Sequence, residues 1–218
     1  MIKKLVISYS DDDRDLARKL RELLIKSNFN VWLAEEDIRG DVMWTDAIVD
    51  AITGADGLIL LWSENSARQK ENKEMENEST NVHEEVRIAR GFQKPIFPIL
   101  ARPMSKIPAL PPEILSLQVI GRSELEHNFV ELKERLNDEK RSKFEYPKYA
   151  PNAHIQREEN FFFVGREADL KTLFVDTIGF HGKGKKGLPI AISGLAGIGK
   201  THLALTFGYR FPSAILGS

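Results

Sequence analysis

Cysteine is absent from the 218 residues. Its absence removes a disulfide framework, a thiolate zinc site and a cysteine nucleophile together. A reducing cytosol is the compartment that fits. An excess of one charge is missing as well. Lysine and arginine number 31 against 32 aspartates and glutamates, a net charge of −1, so no global field draws the chain to nucleic acid or an anionic membrane. No apolar run approaches the roughly 20 residues of a membrane-spanning helix. Met1-Ile2-Lys3-Lys4 leads straight into a strand pattern without signal-peptide anatomy. The expectation is a cytoplasmic protein with no membrane or nucleic-acid partner, whose specificity resides in local sites.

The most informative stretch is Asn81 to Phe92, followed by Lys94-Pro95-Ile96-Phe97-Pro98-Ile99-Leu100. At helical period Val82, Val86 and Ala89 form one apolar stripe, with Ile88 and Phe92 on its flank. His83, Glu84, Arg87 and Arg90 point the other way. Glu85 falls inside the stripe. Burial disfavours a charged carboxylate and raises its pKa, so the position needs a reason. Either the group sits at the edge of a half-buried helix, bonded to a nearby backbone N–H, or it serves a ligand site.

Around this stretch the chain alternates strand and helix patterns. Leu5-Val6-Ile7-Ser8 reads as a buried strand, and the acidic run Asp11-Asp12-Asp13 as the cap of a helix carrying Leu16, Leu20, Leu23 and Leu24. Asn30-Val31-Trp32-Leu33 begins a second strand. A charged, glycine-pivoted loop, Glu35 to Asp41, precedes a helix through Trp44, Ile48, Ala51 and Ile52. Gly57 to Trp62 is a strand whose unbroken apolar run suits cover on both faces. Ala67 to Glu78 reads as a solvated insertion, Pro95 to Leu100 as a fourth strand, and Leu117 to Ile120 as a weaker fifth beyond a proline-rich loop. Phe129, Leu132 and Leu136 mark a last helix. The pattern predicts an α/β fold with a doubly wound parallel sheet of five strands over residues 1–138, then a charged linker over 139–158.

A second segment, 159–218, opens with Phe161-Phe162-Phe163-Val164-Gly165-Arg166-Glu167 and a helix bearing Leu170, Leu173 and Phe174. The basic loop His181 to Gly187 has no interleaved aromatics and reads as a surface linker rather than a nucleic-acid patch. Leu188 to Ser193 is expected as a strand. Gly194-Leu195-Ala196-Gly197-Ile198-Gly199-Lys200-Thr201 then matches the phosphate-binding pattern G-x-x-x-x-G-K-[ST] in its strand, turn and helix setting. Gly194, Gly197 and Gly199 would let backbone N–H groups cradle phosphates, Lys200 would reach the terminal phosphates and Thr201 would hold magnesium. No acidic partner for magnesium follows on a further strand, so hydrolysis by this segment alone is not expected.

Taken together, residues 5–136 resemble a TIR domain. Leu5 to Tyr9 is similar to its first-strand box, Glu35 to Gly40 to its BB loop, and Ser79 to Ala89 to its glutamate-bearing helix. Residues 161–201 resemble the start of a signalling NTPase of the NB-ARC or STAND kind, in which a Gly-Arg-Glu motif precedes the phosphate loop. The combination is similar to immune receptors of bacteria and plants, where a nucleotide switch gates TIR self-association. The resemblance implies a flavodoxin-like fold and cleavage of NAD+, as substrate and without a cofactor, at the nicotinamide–ribose bond. It also implies ATP or ADP with magnesium as partners of a complete NTPase module. It assigns catalysis to Glu85 and the pocket to Tyr9, Ser10, Trp32, Trp44 and Ser63, with Trp32 and Trp44 equally open to a core role. Where the family often has tryptophan, four residues before the glutamate, this chain has Asn81. The alternative function is a non-enzymatic TIR scaffold that signals by TIR–TIR contact alone.

Overall fold

Leu5, Ile7 and Tyr9 alternate with Val6 and Ser8, and this period of two decides which helices cover which side of the sheet. In the computed structural model the described residues are 3–33, 44–67, 82–103, 108–111, 114, 117–121, 124–138, 166–181, 190–195 and 197–211. They fall into two compact units, Met1–Tyr146 and Pro147–Ser218.

In the first unit the strands are β1 (Lys4–Ser8), β2 (Asn30–Leu33), β3 (Gly57–Trp62) and β4 (Ile96–Leu100). The helices between and after them are α1 (Arg14–Lys26), α2 (Trp44–Thr53), the short α3 (Glu64–Ala67), α4 (Val82–Gly91) and α5 (Leu125–Asn137). The strands form one parallel sheet in the order β2-β1-β3-β4. Leaving β1 toward β2 in one direction and placing β3 on its other side makes the β1/β3 boundary a switch point. In open α/β sheets the crevice beyond the strand C-termini at such a point is where ligands bind.

Leu5, Ile7, Tyr9, Val31, Leu33, Ile59, Leu61, Phe97 and Ile99 pack with Leu20 and Leu24 of α1 and Leu132 and Leu136 of α5. The alternate residues, including Val6, Ser8, Leu58 and Leu60, therefore face the other side, where α2 and α4 lie against β1 and α4 also packs on β3. Every residue of β3 and β4 is buried, as a sheet covered on both faces requires. A leucine truncated to alanine here would cost about 2–5 kcal/mol.

The fifth strand expected at Leu117–Ile120 does not form. A single parallel bridge joins Ile120 to Ile99 at the outer edge of β4. The Leu117 N–H is committed to a turn onto the Ile114 carbonyl, and Gly121 leaves at φ +124°, so the run is bent at both ends and only its last residue, Ile120, pairs with β4. Among the described residues the sheet accordingly has four strands.

The second unit contributes α6 (Glu167–His181) and α7 (Lys200–Arg210), which pack together. Phe174 and Phe207 each contact Phe211, with ring centroids 4.6 and 5.2 Å apart. The strand expected over 188–193 is not formed in its described part, 190–193. Among the described residues of this unit no neighbouring strand offers it a hydrogen-bond ladder. The Glu35–Asp41 loop, residues 68–81 with Asn81, and the linker 139–158 lie outside the described residues.

Candidate functional site

The stripe read from the sequence is the buried face of α4: Val82, Val86, Ile88, Ala89 and, just beyond the helix, Phe92 are all buried. Glu85 lies among them at 4% exposure. His83, Glu84, Arg87 and Arg90 are half-buried, and Glu84 accepts a long contact of 3.5 Å from Arg87. The first turn of α4 is held against the end of β3 by an edge-to-face contact of His83 on Trp62, with centroids 6.0 Å apart. The Trp62 indole N–H in turn donates to the Pro108 carbonyl at 3.0 Å.

Burial pushes the Glu85 carboxyl up to about 8, and the charge of Asp11 adds to the effect, while the Ser8 hydroxyl acts in the opposite direction. Ser8 is fully buried and its hydroxyl makes no hydrogen bond of ordinary geometry. So loose a contact offsets only part of the desolvation. The neutral acid therefore predominates at pH 7 in the unliganded protein. Ser8 was not among the residues singled out from the sequence. Period-two alternation holds the signal, since Ser8 shares a face with Val6, the face that receives α4.

Among the expected pocket residues, Tyr9 is 1% exposed and packs in the core on the α1/α5 side. Ser10 follows β1, half-buried, and its carbonyl accepts the Asp13 N–H at 2.7 Å in the 3-10 turn Asp11–Asp13. Trp32 is half-buried and pairs with Val6 across β1 and β2, which places it on the Glu85 side of the sheet. Trp44 is the first residue of α2. Ser63 follows β3 and is buried on the α1 side.

The acidic run does not cap its helix. Neither Ser10 nor Asp13 makes a side-chain cap bond. Asp13 instead turns inward at 1% exposure and accepts a 2.5 Å hydrogen bond from the Ser63 hydroxyl. Its other oxygen faces Arg102 at 3.6 Å. Ser63 also accepts the Ser66 N–H at 3.0 Å, and Ser66 donates to the Leu61 carbonyl at 2.9 Å. A helix cap worth about 1 kcal/mol loses to a charge-assisted bond in a buried site.

The family model described as TIR domain matches residues 5–136. The chain belongs to the TIR family. No curated protein matches it. The matched span takes in the four-stranded sheet, its covering helices and both polar clusters, so Glu85 and the Asp13–Ser63 pair are features of the TIR domain itself. Among the described residues no helix is long and apolar enough to cross a membrane, and no group of three or more histidines and carboxylates could hold a metal.

Beyond the TIR domain, Gly194, Gly197 and Gly199 adopt φ of +152°, +78° and +87°, conformations that residues with a Cβ rarely take. Gly199 precedes α7 as its N-cap. The Lys200 ammonium donates to the carbonyls of Gly194 and Leu195 at 2.9 and 2.8 Å, and Thr201 is exposed one residue into the helix. Arg166 bonds Asp169 at 2.6 Å and the Ile198 carbonyl at 3.0 Å, so this arginine ties the start of α6 to the loop.

Proposed function

We propose that the TIR domain is an NAD+ glycohydrolase, active on self-association, with Glu85 as its catalytic carboxyl. The observation that carries the reading is the burial of an ionisable side chain, 4% exposed, beside Ser8 at the C-terminal end of β1, the edge at which open α/β sheets bind ligands. A domain used only for adhesion gains nothing from a buried glutamate, which is a cost to its stability.

The reaction needs little from the protein beyond placement and charge. The bond from ribose C1′ to the pyridinium nitrogen breaks, and its electron pair discharges the ring, so neutral nicotinamide leaves without a general acid. The ribose is left with oxocarbenium character, water adds at C1′, and its released proton leaves ADP-ribose as product. Glu85 stabilises the developing cation as a carboxylate. Its raised pKa sets a condition, because the acid must first lose its proton. A cationic nicotinamide ring beside it favours that loss. Trp32, on the same face, is a candidate to stack on the substrate.

For the second unit the reading is the opening part of a nucleotide-binding switch. The left-handed glycines and the helix N-terminus at Lys200 fit a phosphate-bearing group. Thr201 would hold a magnesium ion, which neutralises phosphate charge when bound. Weak ATP binding in calorimetry, lost in Lys200→Ala, is the expected result. Binding indifferent to Lys200 would contradict it.

The test of the principal reading is incubation of the concentrated protein with NAD+ and measurement of free nicotinamide. Release that grows more than linearly with protein concentration supports it. Absence of release even when the domains are forced together leaves the scaffold reading in its place.

A further inference from the structure

Asp13 is a buried carboxylate that the chemistry above does not use. It begins α1 but reaches back across the mouth of the sheet. Its Oδ2 takes the 2.5 Å bond from Ser63, the residue directly after β3, and its Oδ1 faces Arg102, two residues after β4. One side chain thereby ties together the C-terminal ends of β1, β3 and β4, over the switch point where a ligand would lie. Ser66 reinforces the arrangement from α3, its hydroxyl 3.2 Å from that of Ser63.

What the tie holds is the connection between Ser8 and Asp13. That connection is short, and the Asp13 N–H bond to the Ser10 carbonyl winds it tightly. At one end is Ser8, buried on the face that receives Glu85. In its middle is Asp11, whose charge is felt at Glu85. Anchoring Asp13 to Ser63 therefore fixes both groups of β1 and its following turn that act on the glutamate.

We propose that Asp13 and Ser63 form a clasp that positions the Ser8–Asp11 segment against Glu85. Asp13 touches no reacting atom in this account and is a positioning residue. The inference rests on the reading of Glu85 as the working carboxyl for its kinetic consequence only. A tie with a purely structural role would lower the melting temperature when cut and leave the behaviour of Glu85 in the folded chain unchanged.

The test follows the Glu85 carboxyl by carbon NMR in the full chain labelled at glutamate, together with nicotinamide release from NAD+. Ser63→Ala removes the donor. Asp13→Asn keeps an acceptor for Ser63 but removes the charge facing Arg102. In both variants Glu85 is expected to titrate lower than in the wild type, by on the order of one pKa unit, as water reaches it and Asp11 is released. The limiting kcat, read on the plateau above about pH 8 where Glu85 is ionised in every variant, should fall on the order of tenfold with a smaller change in KM, and Ser63→Thr, which retains the hydroxyl, should recover most of both effects. If Ser63→Ala does not fold, Asp13→Asn and Ser63→Thr decide the matter by the same titration. A Glu85 titration unchanged from wild type in folded variants overturns the proposal. If the wild type releases no nicotinamide, the reading of the reaction fails while the titration still decides the clasp.

Discussion

Ser8 closes β1 on the side of the sheet that receives Glu85 from α4, and both side chains are removed from solvent. The hydroxyl lowers and burial raises the proton affinity of the carboxyl, and burial wins, leaving the group near 8. A carboxylic acid that is neutral at pH 7 and charged slightly above it is the feature on which the first two predictions rest.

Stability should fall with rising pH because of this residue. The folded pKa lies above the unfolded value of 4.5, so between the two the native state binds more protons, and each unit of pH in that window costs about 1.4 kcal/mol. Glu85→Gln removes the cost. Its advantage over the wild type should be under about 1 kcal/mol at pH 5 and about 2–4 kcal/mol at pH 8. Urea unfolding across that range checks it, and an advantage independent of pH would refute the assignment.

The pH dependence of turnover should report the same group. In the free enzyme kcat/KM is expected to rise with pH and level off above about 8. Ser8→Ala removes the interaction that opposes burial, so its profile should move to higher pH. A wild-type profile already flat at pH 6 would place the working group elsewhere.

A third prediction concerns the far end of the sheet. Asp56 accepts the backbone N–H groups of Lys3 and Lys4 at 2.9 and 2.8 Å. Burial opposes its ionisation, but these bonds and the charge of Lys94 prevail and hold its carboxyl below the usual range. A lowered folded pKa stabilises the native state above the unfolded value and is lost as pH falls through the folded one. Asp56→Asn should therefore lower the melting temperature at pH 7 and show a flatter acid limb below pH 4. Parallel acid limbs for the two proteins would contradict it.

The sequence made the strand and helix order legible because parallel strands covered on both faces read as apolar runs, and the stripe on α4 has a clean helical period. Glu85 stood out for the same reason, as a charge on an apolar face. The role of Asp13 was not legible. A run of three aspartates before a helix has a local explanation, capping, and the competing partner Ser63 is fifty residues away. Ser8 was not legible as a neighbour of Glu85 because which face of β1 meets α4 depends on the topology. The fifth strand failed because apolar content alone does not reveal that Leu117 is already bound into a turn.

The most direct measurement compares two adjacent glutamates. Nicotinamide release from NAD+ is followed at pH 8 for the wild type, Glu85→Gln and Glu84→Gln, all at a concentration that permits assembly. Glu84 is half-buried and meets Arg87 at 3.5 Å, a contact of the kind that contributes little. Its variant should stay within about twofold of wild type, while Glu85→Gln should lose on the order of a hundredfold in kcat with substrate binding largely kept. Cleavage by Glu85→Gln at the wild-type rate would contradict the account.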